Sequence, residues 1–252
     1  MEKRTDTEHN KSLLNYVMNC ITFMNNETRT DYQRIDKEIL FSDFTYIQNP
    51  QNRKKMSSKH SYTTADYLPF DTATSLVRKL FRDGNYRMSL LIGCGIFFGL
   101  RISDLRSLTW TQILTDEEFS IFEKKTGKRR VIRINKGFQA HIKDCHNALN
   151  IKDDSQPCFL NRYGSIITLQ MINRHFKNIK LRYGIRINNF STHSLRKTWA
   201  RKIWENENAL GRGEQSLVVL SEIMNHSSVA ITRRYLGLRQ EEIGQIYESL
   251  QF

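Results

Sequence analysis

The chain has 252 residues, 39% of them hydrophobic, which suits one large domain or one domain with a small appendage. It contains no apolar run near the length that crosses a bilayer, and its polar N-terminus lacks a signal-peptide core, so we expect a soluble, cytoplasmic protein without membrane contact. Lys and Arg number 39 against 26 Asp and Glu, and the net charge of +13 favours a polyanionic partner.

The cysteine pattern argues against disulfides and zinc sites. None of the four cysteines forms a Cys-x-x-Cys pair: Cys20, Cys94, Cys145 and Cys158. His141, Cys145 and His146 share one predicted helix, but no fourth ligand is apparent for them. We therefore predict no metal site.

The chain divides into two segments with different sequence patterns. Apolar residues recur at helical spacing over residues 11–26 and 31–48, which predicts two helices. Residues 49–66 are polar and basic with little periodicity, as in a linker. We therefore predict a short helical N-terminal segment with a basic linker over residues 1–66, and a second domain over residues 67–252.

The second domain reads as mainly helical. Asp71 can cap a helix that runs to Arg82 and ends at Gly84, and the apolar residues 86–98 predict a buried helix. A third helix is predicted to begin near Arg101. Further helices are predicted at about 137–149, from a Thr168 cap to Gly184, and at 193–207, 214–224, 228–236 and 240–250.

One β-hairpin interrupts the helices. Residues 119–123 and 130–134 read as strands that flank a Lys-Thr-Gly-Lys turn. The predicted fold class is therefore mainly α with a small β-hairpin or sheet, an α+β domain.

Four segments concentrate chemically useful side chains. In chain order they are GLRISDL, EKKTGKRR, THSLRKTWA and IMNHSSVAITRRYLG, around Arg101, Lys125, His193 with Arg196, and His226 with Tyr235. Each has an ordinary structural explanation when taken alone. Arg101, for example, could simply pair with Asp104 three residues later on a helix.

Together these segments supply what a phosphodiester reaction needs. Two guanidiniums and an imidazole can hold the oxygens on which negative charge develops. A tyrosine hydroxyl can form a stable covalent phosphate ester, and a lysine or histidine can protonate the leaving oxygen. His193 and Arg196 stand three residues apart, so a helix places both on one face.

The pattern resembles the tyrosine recombinases, also called the phage integrase family, over roughly residues 67–252. That family has an arginine in a Gly-Leu-Arg-x-Ser-Glu/Asp-Leu segment, a lysine in a hairpin turn, a His-x-x-Arg box and a histidine nine residues before the nucleophilic tyrosine. The matching residues occur here in the same order: Arg101, Lys125, His193, Arg196, His226 and Tyr235. Each match is weak alone, whereas the ordered set is specific.

The resemblance implies a site-specific recombinase that needs no metal, ATP or other cofactor. Tyr235 would attack the scissile phosphate, form a 3′-phosphotyrosine and release a 5′-hydroxyl. Arg101, Arg196 and His226 would stabilise the transition state, and Lys125 would protonate the leaving oxygen. His193 would act as a base or a positioning group. The implied partners are double-stranded DNA, three further copies of the chain in a tetramer on paired sites, and accessory DNA-binding proteins, which implies a nucleoid-associated protein.

Three departures from the family pattern stand out. Asn225 occupies the position before His226 where the family usually has glycine, and residues 205–215 read as an insertion. The N-terminal segment is short for the family's helical DNA-clamping domain, as in small integrases of mobile elements. The choice among Lys124, Lys125 and Lys128 as the general acid also stays open.

Basic side chains flank the predicted site. Two stretches, one in the hairpin and one in the helix after Thr168, are candidates for phosphate contacts through Lys124, Lys128, Arg129, Arg130, Arg174 and Lys177. Two other functions remain open from the sequence: a degenerate recombinase that only binds DNA and regulates, and a related enzyme such as a type IB topoisomerase or telomere resolvase.

The last predicted helix carries an apolar stripe formed by Ile243, Ile246, Tyr247 and Leu250. Two interpretations of this stripe are equally open. It can pack on its own domain, or it can dock in a groove of a neighbouring protomer.

Overall fold

The structure, a computed structural model, describes residues 65–250. The predicted helices at 11–26 and 31–48, and residues 49–64 of the predicted linker, lie outside this range. The first part of the described chain contains α1 (Phe70–Arg82), α2 (Tyr86–Phe98), α3 (Ile102–Leu105), α4 (Trp110–Ile113), β1 (Glu118–Phe122) and β2 (Arg129–Arg133). The second part contains α5 (Lys136–Ala148), α6 (Leu169–Arg182), α7 (Thr192–Ala209), α8 (Gly213–Met224), α9 (Val229–Leu236) and α10 (Leu238–Glu248).

Helix α2 lies at the centre of the larger core. Its side chains are buried along nearly its whole length, as the apolar sequence predicts. Gly93 and Gly95 let neighbouring helices approach closely. A Cβ at Gly93 would lie 2.5 Å from the Phe138 ring of α5, and one at Gly95 would overlap Leu195 of α7. This packing fixes α7, which carries two of the predicted site residues, against the C-terminal half of α2.

The start of α1 differs from the prediction. The helix begins at Phe70 with Pro69 as its N-cap, so the prediction that Asp71 caps it is wrong. Proline suits the start of a helix because the N–H that it lacks would have no partner there. Asp71 lies in the first turn instead, where its carboxylate still interacts favourably with the helix dipole.

The hairpin pairs β1 and β2 in antiparallel register, with Phe119 opposite Ile132 and Ile121 opposite Arg130. Both strands begin and end one residue earlier than predicted. Alternation places Phe119 and Ile121 on the buried face of β1. Glu123, the residue after β1, is buried as well.

The sequence did not predict the one-turn helix α4. Thr109 caps it through a reciprocal capping box with Gln112, and Trp110 is fully buried at its start. Four residues are too few to show helical periodicity in a sequence. The helix predicted to begin near Arg101 is also a single turn, α3, with Arg101 as its N-cap.

Helices α7, α8 and α9 enclose a smaller core that Tyr235 borders. It consists of Ala200, Leu217, Leu220, Met224, Leu236 and Leu238. Helix α7 extends to Ala209 and so takes in the first part of the predicted insertion. Asn225 ends α8 in the left-handed conformation, with φ of 57°. Asparagine tolerates this conformation better than other non-glycine residues, which explains how it can stand where the family usually has glycine.

Among the described helices, none combines the length and the apolar character that a bilayer crossing requires.

Candidate active site

Arg101 points its guanidinium toward two partners. Nη1 donates to Oε2 of Glu123 at 2.6 Å, and Nη2 donates to the carbonyl of Met224 at 3.0 Å. The simple pairing of Arg101 with Asp104 is not formed. Asp104 is buried and accepts from the backbone N–H of Lys124 at 3.0 Å, which fixes the end of β1 next to α3.

Arg196 lies on α7 with only 5% of its surface exposed. Its guanidinium donates to the carbonyl of Gly99 at 2.9 Å and to that of Met224 at 3.5 Å. Burial, followed by the charges of Arg101 and Arg130, lowers the pKa of Arg196 to about 10, so it stays protonated at neutral pH. Arg101 and Arg196 therefore converge on one carbonyl, at the negative end of α8.

His226 follows this carbonyl by two residues. Its Nδ1 lies 2.9 Å from the hydroxyl of Thr232 on α9. Burial, with the charges of Arg196 and Arg101, lowers the pKa of His226 below its ordinary value, which makes the imidazole neutral at pH 7. Because Thr232 occupies Nδ1, Nε2 is the ring nitrogen left for a ligand.

Tyr235 lies beside His226, with the two ring centroids 5.5 Å apart in an edge-to-face arrangement. Its hydroxyl oxygen is buried and has no hydrogen-bond partner within residues 65–250. Burial raises the pKa of Tyr235 to about 12, although the charges of Arg196 and Arg101 act in the opposite direction. The hydroxyl thus stands protonated in a field of positive charge. It must lose its proton to act as a nucleophile.

The structure brings Arg101, Arg196, His226 and Tyr235 together, whereas Lys125 and His193 stay at the edge. His193 is exposed in the first turn of α7, three residues before Arg196 on the same helix face. Lys125 is exposed in the hairpin turn. Within the described part of the chain, no hydrogen bond or ion pair joins these two side chains to the other four.

The sequence leaves three lysines as candidates for the general acid, and their surroundings differ in the structure. Among the residues that the structure describes, Lys124 is held by its backbone N–H, which donates to Asp104, and not by its side chain. The Lys128 amine donates at 3.1 Å to Oδ1 of Asn225, the residue that immediately precedes His226. Lys125 lies between them at the start of the turn, with its side chain exposed.

The residues proposed for DNA contact fall into two groups. The first group is exposed, as expected for a phosphate-binding surface, and includes Arg129 on β2 and both Arg174 and Lys177 on α6. Arg130 differs, because its side chain is only 14% exposed and lies 5.2 Å over the Trp199 ring. It donates to the carbonyls of Phe98 and Gly99 and so caps the C-terminal end of α2.

The sequence model of the phage integrase family matches residues 68–242, a stretch that contains all six predicted catalytic residues. The chain belongs to the phage integrase family.

Two curated relatives place this integrase-family chain near the Xer proteins. Tyrosine recombinase XerC of Xanthomonas axonopodis pv. citri is 26% identical over 151 residues, which are 60% of this chain and 47% of XerC. Tyrosine recombinase XerH of Campylobacter jejuni is 26% identical over 167 residues, 65% of this chain and 44% of XerH. The chain thus spans about half the length of the curated relatives that it matches.

Solved structures share the fold at low sequence identity. XerA recombinase aligns with a TM-score of 0.55 and 18% identity, over 100% of this chain and 94% of XerA. XerH in a post-cleavage complex with palindromic difH DNA aligns with a TM-score of 0.53 and 20% identity, over 74% of this chain and 54% of XerH. These similarities confirm the mainly helical fold with a small antiparallel sheet that the sequence predicts.

Two residues of this integrase-family site were missed from the sequence. Thr232 holds Nδ1 of His226, and Glu123 holds Arg101. The strand pattern EFSIFE contains a signal for Glu123, because alternate positions 119, 121 and 123 share one face and the first two are apolar. A carboxylate on a buried strand face needs a cationic partner. Thr232 gives no comparable signal in the sequence.

Proposed function

We propose that this chain is a site-specific DNA recombinase that cuts and rejoins DNA through a 3′-phosphotyrosine on Tyr235. One observation carries the proposal: Arg101 and Arg196 donate to the same carbonyl, that of Met224. Their charges also act on both His226 and Tyr235. The relatives named tyrosine recombinases support the same function.

The reaction begins when a DNA phosphate enters beside the two guanidiniums. Arg101 and Arg196 hold its non-bridging oxygens through charge-assisted hydrogen bonds, and His226 donates a further one from Nε2. These contacts strengthen as negative charge builds on the phosphate in the transition state.

Chemistry follows at Tyr235. Its oxygen bonds to phosphorus while the bond to the 5′-oxygen breaks, and Lys125 supplies the proton that the leaving oxygen takes up. The tyrosine proton passes to a base, and His193 serves either as that base or as a positioning group. A 5′-hydroxyl from another strand then reverses these steps. The ester linkage is conserved throughout, so the exchange requires neither ATP nor a metal ion.

The proposal is tested by trapping the covalent intermediate. A binding site is first selected from a pool of random duplexes, and a nicked version of that site then lets the cleaved fragment diffuse away. We expect an SDS-resistant protein–DNA adduct to accumulate. Tight binding without any adduct would identify a regulator that only binds DNA. Relaxation of supercoiled plasmids that lack the site would identify a type IB topoisomerase-like activity.

Lys125→Ala is expected to lower the yield of the adduct on normal DNA and to recover it on a substrate with a 5′-bridging phosphorothiolate. Sulfur leaves without a proton, so the substrate bypasses a missing general acid. Cleavage rates on the two substrates measure the effect. Lys128→Ala is the matched control, since Lys128 lies in the same turn but donates to Asn225. Rescue of Lys128→Ala in place of Lys125→Ala would move the role to Lys128.

We propose further that the recombinase works as a tetramer on two DNA sites, joined through α10. The first turns of this helix are held on their own domain, because Glu241 pairs with Arg201 at 2.8 Å and Glu242 with Arg233 at 2.6 Å. The apolar side chains of Ile243, Ile246 and Tyr247 in the later turns are exposed, and Leu250 is exposed just after the helix ends. This arrangement supports docking of the later turns on a neighbouring protomer.

The joint substitution Ile246→Ser with Tyr247→Ser is expected to leave folding and single-site binding unchanged and to prevent recombination of two sites. Both residues are exposed and lie outside the ion pairs that hold α10. Gel-shift assays would measure binding and synapsis, and a two-site plasmid would measure recombination. Gln245→Ser is the control on the same helix. Recombination at the normal rate would contradict docking through these residues.

The same plasmid assay, run with purified protein alone, tests the proposed need for accessory DNA-binding proteins. We also propose that the protein is cytoplasmic and associated with the nucleoid, since its net charge of +13 suits lasting contact with DNA.

A further inference from the structure

Glu123 is a buried carboxylate at the edge of the proposed active site. Its side chain is only 4% exposed. Oε2 accepts from Nη1 of Arg101 at 2.6 Å and from the Thr126 hydroxyl at 3.0 Å. Nη1 of Arg130 lies 3.6 Å from Oε1. One carboxylate therefore touches two of the three guanidiniums in this part of the structure.

The backbone of Glu123 also closes the hairpin turn. Its N–H donates to the carbonyl of Lys128 at 3.0 Å, and its carbonyl accepts from Thr126 at 3.2 Å and from Gly127 at 2.8 Å. These contacts involve main-chain atoms, so they persist when the side chain changes. The side chain alone carries the link to Arg101.

Charge explains why an acid occupies this position. Besides burial, the charge of Arg101 acts to lower the pKa of both Arg130 and Arg196, and the charge of Arg130 also lowers that of Arg196. Burial opposes ionisation of Glu123, but hydrogen bonds from Arg101 and Thr126, with the charges of Arg101 and Arg196, bring its pKa below the ordinary value. A buried carboxylate is stable only with such partners, and the guanidiniums gain a fixed counter-charge.

We propose that Glu123 is a positioning residue that orients the guanidinium of Arg101 toward the scissile phosphate, an inference that rests on the function proposed above. Arginine has five N–H donors, and Arg101 commits one to Glu123 and one to Met224. The remaining donors are held in a fixed plane, free for phosphate oxygens. Glu123 itself is buried against protein and does not need to touch DNA.

An alternative path from Glu123 to the chemistry runs through Thr126 to the turn that carries Lys125. The two paths give different results on a phosphorothiolate substrate. A defect that acts through Lys125 disappears when the leaving group needs no proton, whereas a defect in Arg101 remains. The shorter contact, 2.6 Å to Arg101 against 3.0 Å to Thr126, favours the first path.

The experiment compares Glu123→Gln with the wild type on the selected nicked site. Glutamine keeps the shape and an acceptor oxygen but loses the charge that fixes Arg101. We expect the adduct to form more than about tenfold more slowly, since hydrogen bonds between charged groups are the stronger ones, with DNA affinity nearly unchanged. The phosphorothiolate substrate should not restore the rate. In an Arg101→Ala background, Glu123→Gln should cause no further loss.

Glu118→Gln is the matched control. Glu118 lies on the same strand and pairs with Arg133 at 3.4 Å, but both side chains are exposed. Thermal melts of all variants identify any loss of folding, and Glu123→Gln is chosen over alanine to limit it. Cleavage within twofold of the wild type, or rescue by the phosphorothiolate, would overturn the inference. An adduct missing from the wild type itself would instead contradict the proposed function.

Discussion

Tyr235→Phe is expected to abolish the covalent protein–DNA adduct completely while DNA affinity stays the same. The substitution removes only the oxygen that would bond to phosphorus. Folding should not suffer, because that hydroxyl is buried and has no hydrogen-bond partner in the described residues. Loss of an unsatisfied buried hydroxyl is neutral or stabilising by about 1 kcal/mol. Denaturing gels of the nicked-substrate reaction measure the adduct, and thermal melts measure stability.

Two other tyrosines supply the controls for this experiment. Tyr247→Phe changes an exposed ring on α10 and should alter neither adduct nor stability. Tyr183→Phe breaks the hydrogen bond between its hydroxyl and Asp83, so it should lower stability and leave the adduct intact. An SDS-resistant complex formed by Tyr235→Phe would show that another residue is the nucleophile.

Local patterns were enough to predict the longer helices and the hairpin of the described region. The apolar run of α2, the Thr168 cap of α6 and the turn between the strands each appear in a few consecutive residues. Short features without periodicity were harder. Helix α4 has only four residues, and the start of α1 depends on Pro69 where Asp71 offered a more familiar capping signal.

The sequence mainly failed to predict the roles of residues whose partners are distant in the chain. The run from Lys124 to Lys136 reads as one basic surface, yet alternation along β2 turns Arg130 inward, opposite Ile121. There it meets Glu123 and the end of α2, contacts between residues far apart in sequence. Motif order predicted four side chains that the structure brings together, those of Arg101, Arg196, His226 and Tyr235. It could not reveal that Met224 offers its carbonyl to two of them, because only the packing of α8 against α7 places that carbonyl.

Arg196→Lys is expected to lower the cleavage rate by about 100- to 1,000-fold, or roughly 3–4 kcal/mol of barrier, with a much smaller effect on binding. Lysine preserves the positive charge that attracts DNA, but its single ammonium cannot span the carbonyls of Gly99 and Met224 as the guanidinium does. The planar fork that should engage two phosphate oxygens is lost with it. Single-turnover cleavage and gel-shift titrations separate the two effects.

Arg129→Lys serves as the control for Arg196→Lys, since Arg129 is an exposed arginine on β2. It should leave the rate of cleavage close to that of the wild type. The contrast depends on geometry, because both substitutions keep the charge.

Arg196 also lies within a cluster where burial and the neighbouring Arg101 and Arg130 lower its pKa to about 10. A lysine there, with an ordinary pKa lower than that of arginine, would lose its proton more readily. Cleavage by Arg196→Lys should therefore fall further as the pH rises above neutrality. Near-normal cleavage across the pH range would show that Arg196 does not stabilise the transition state.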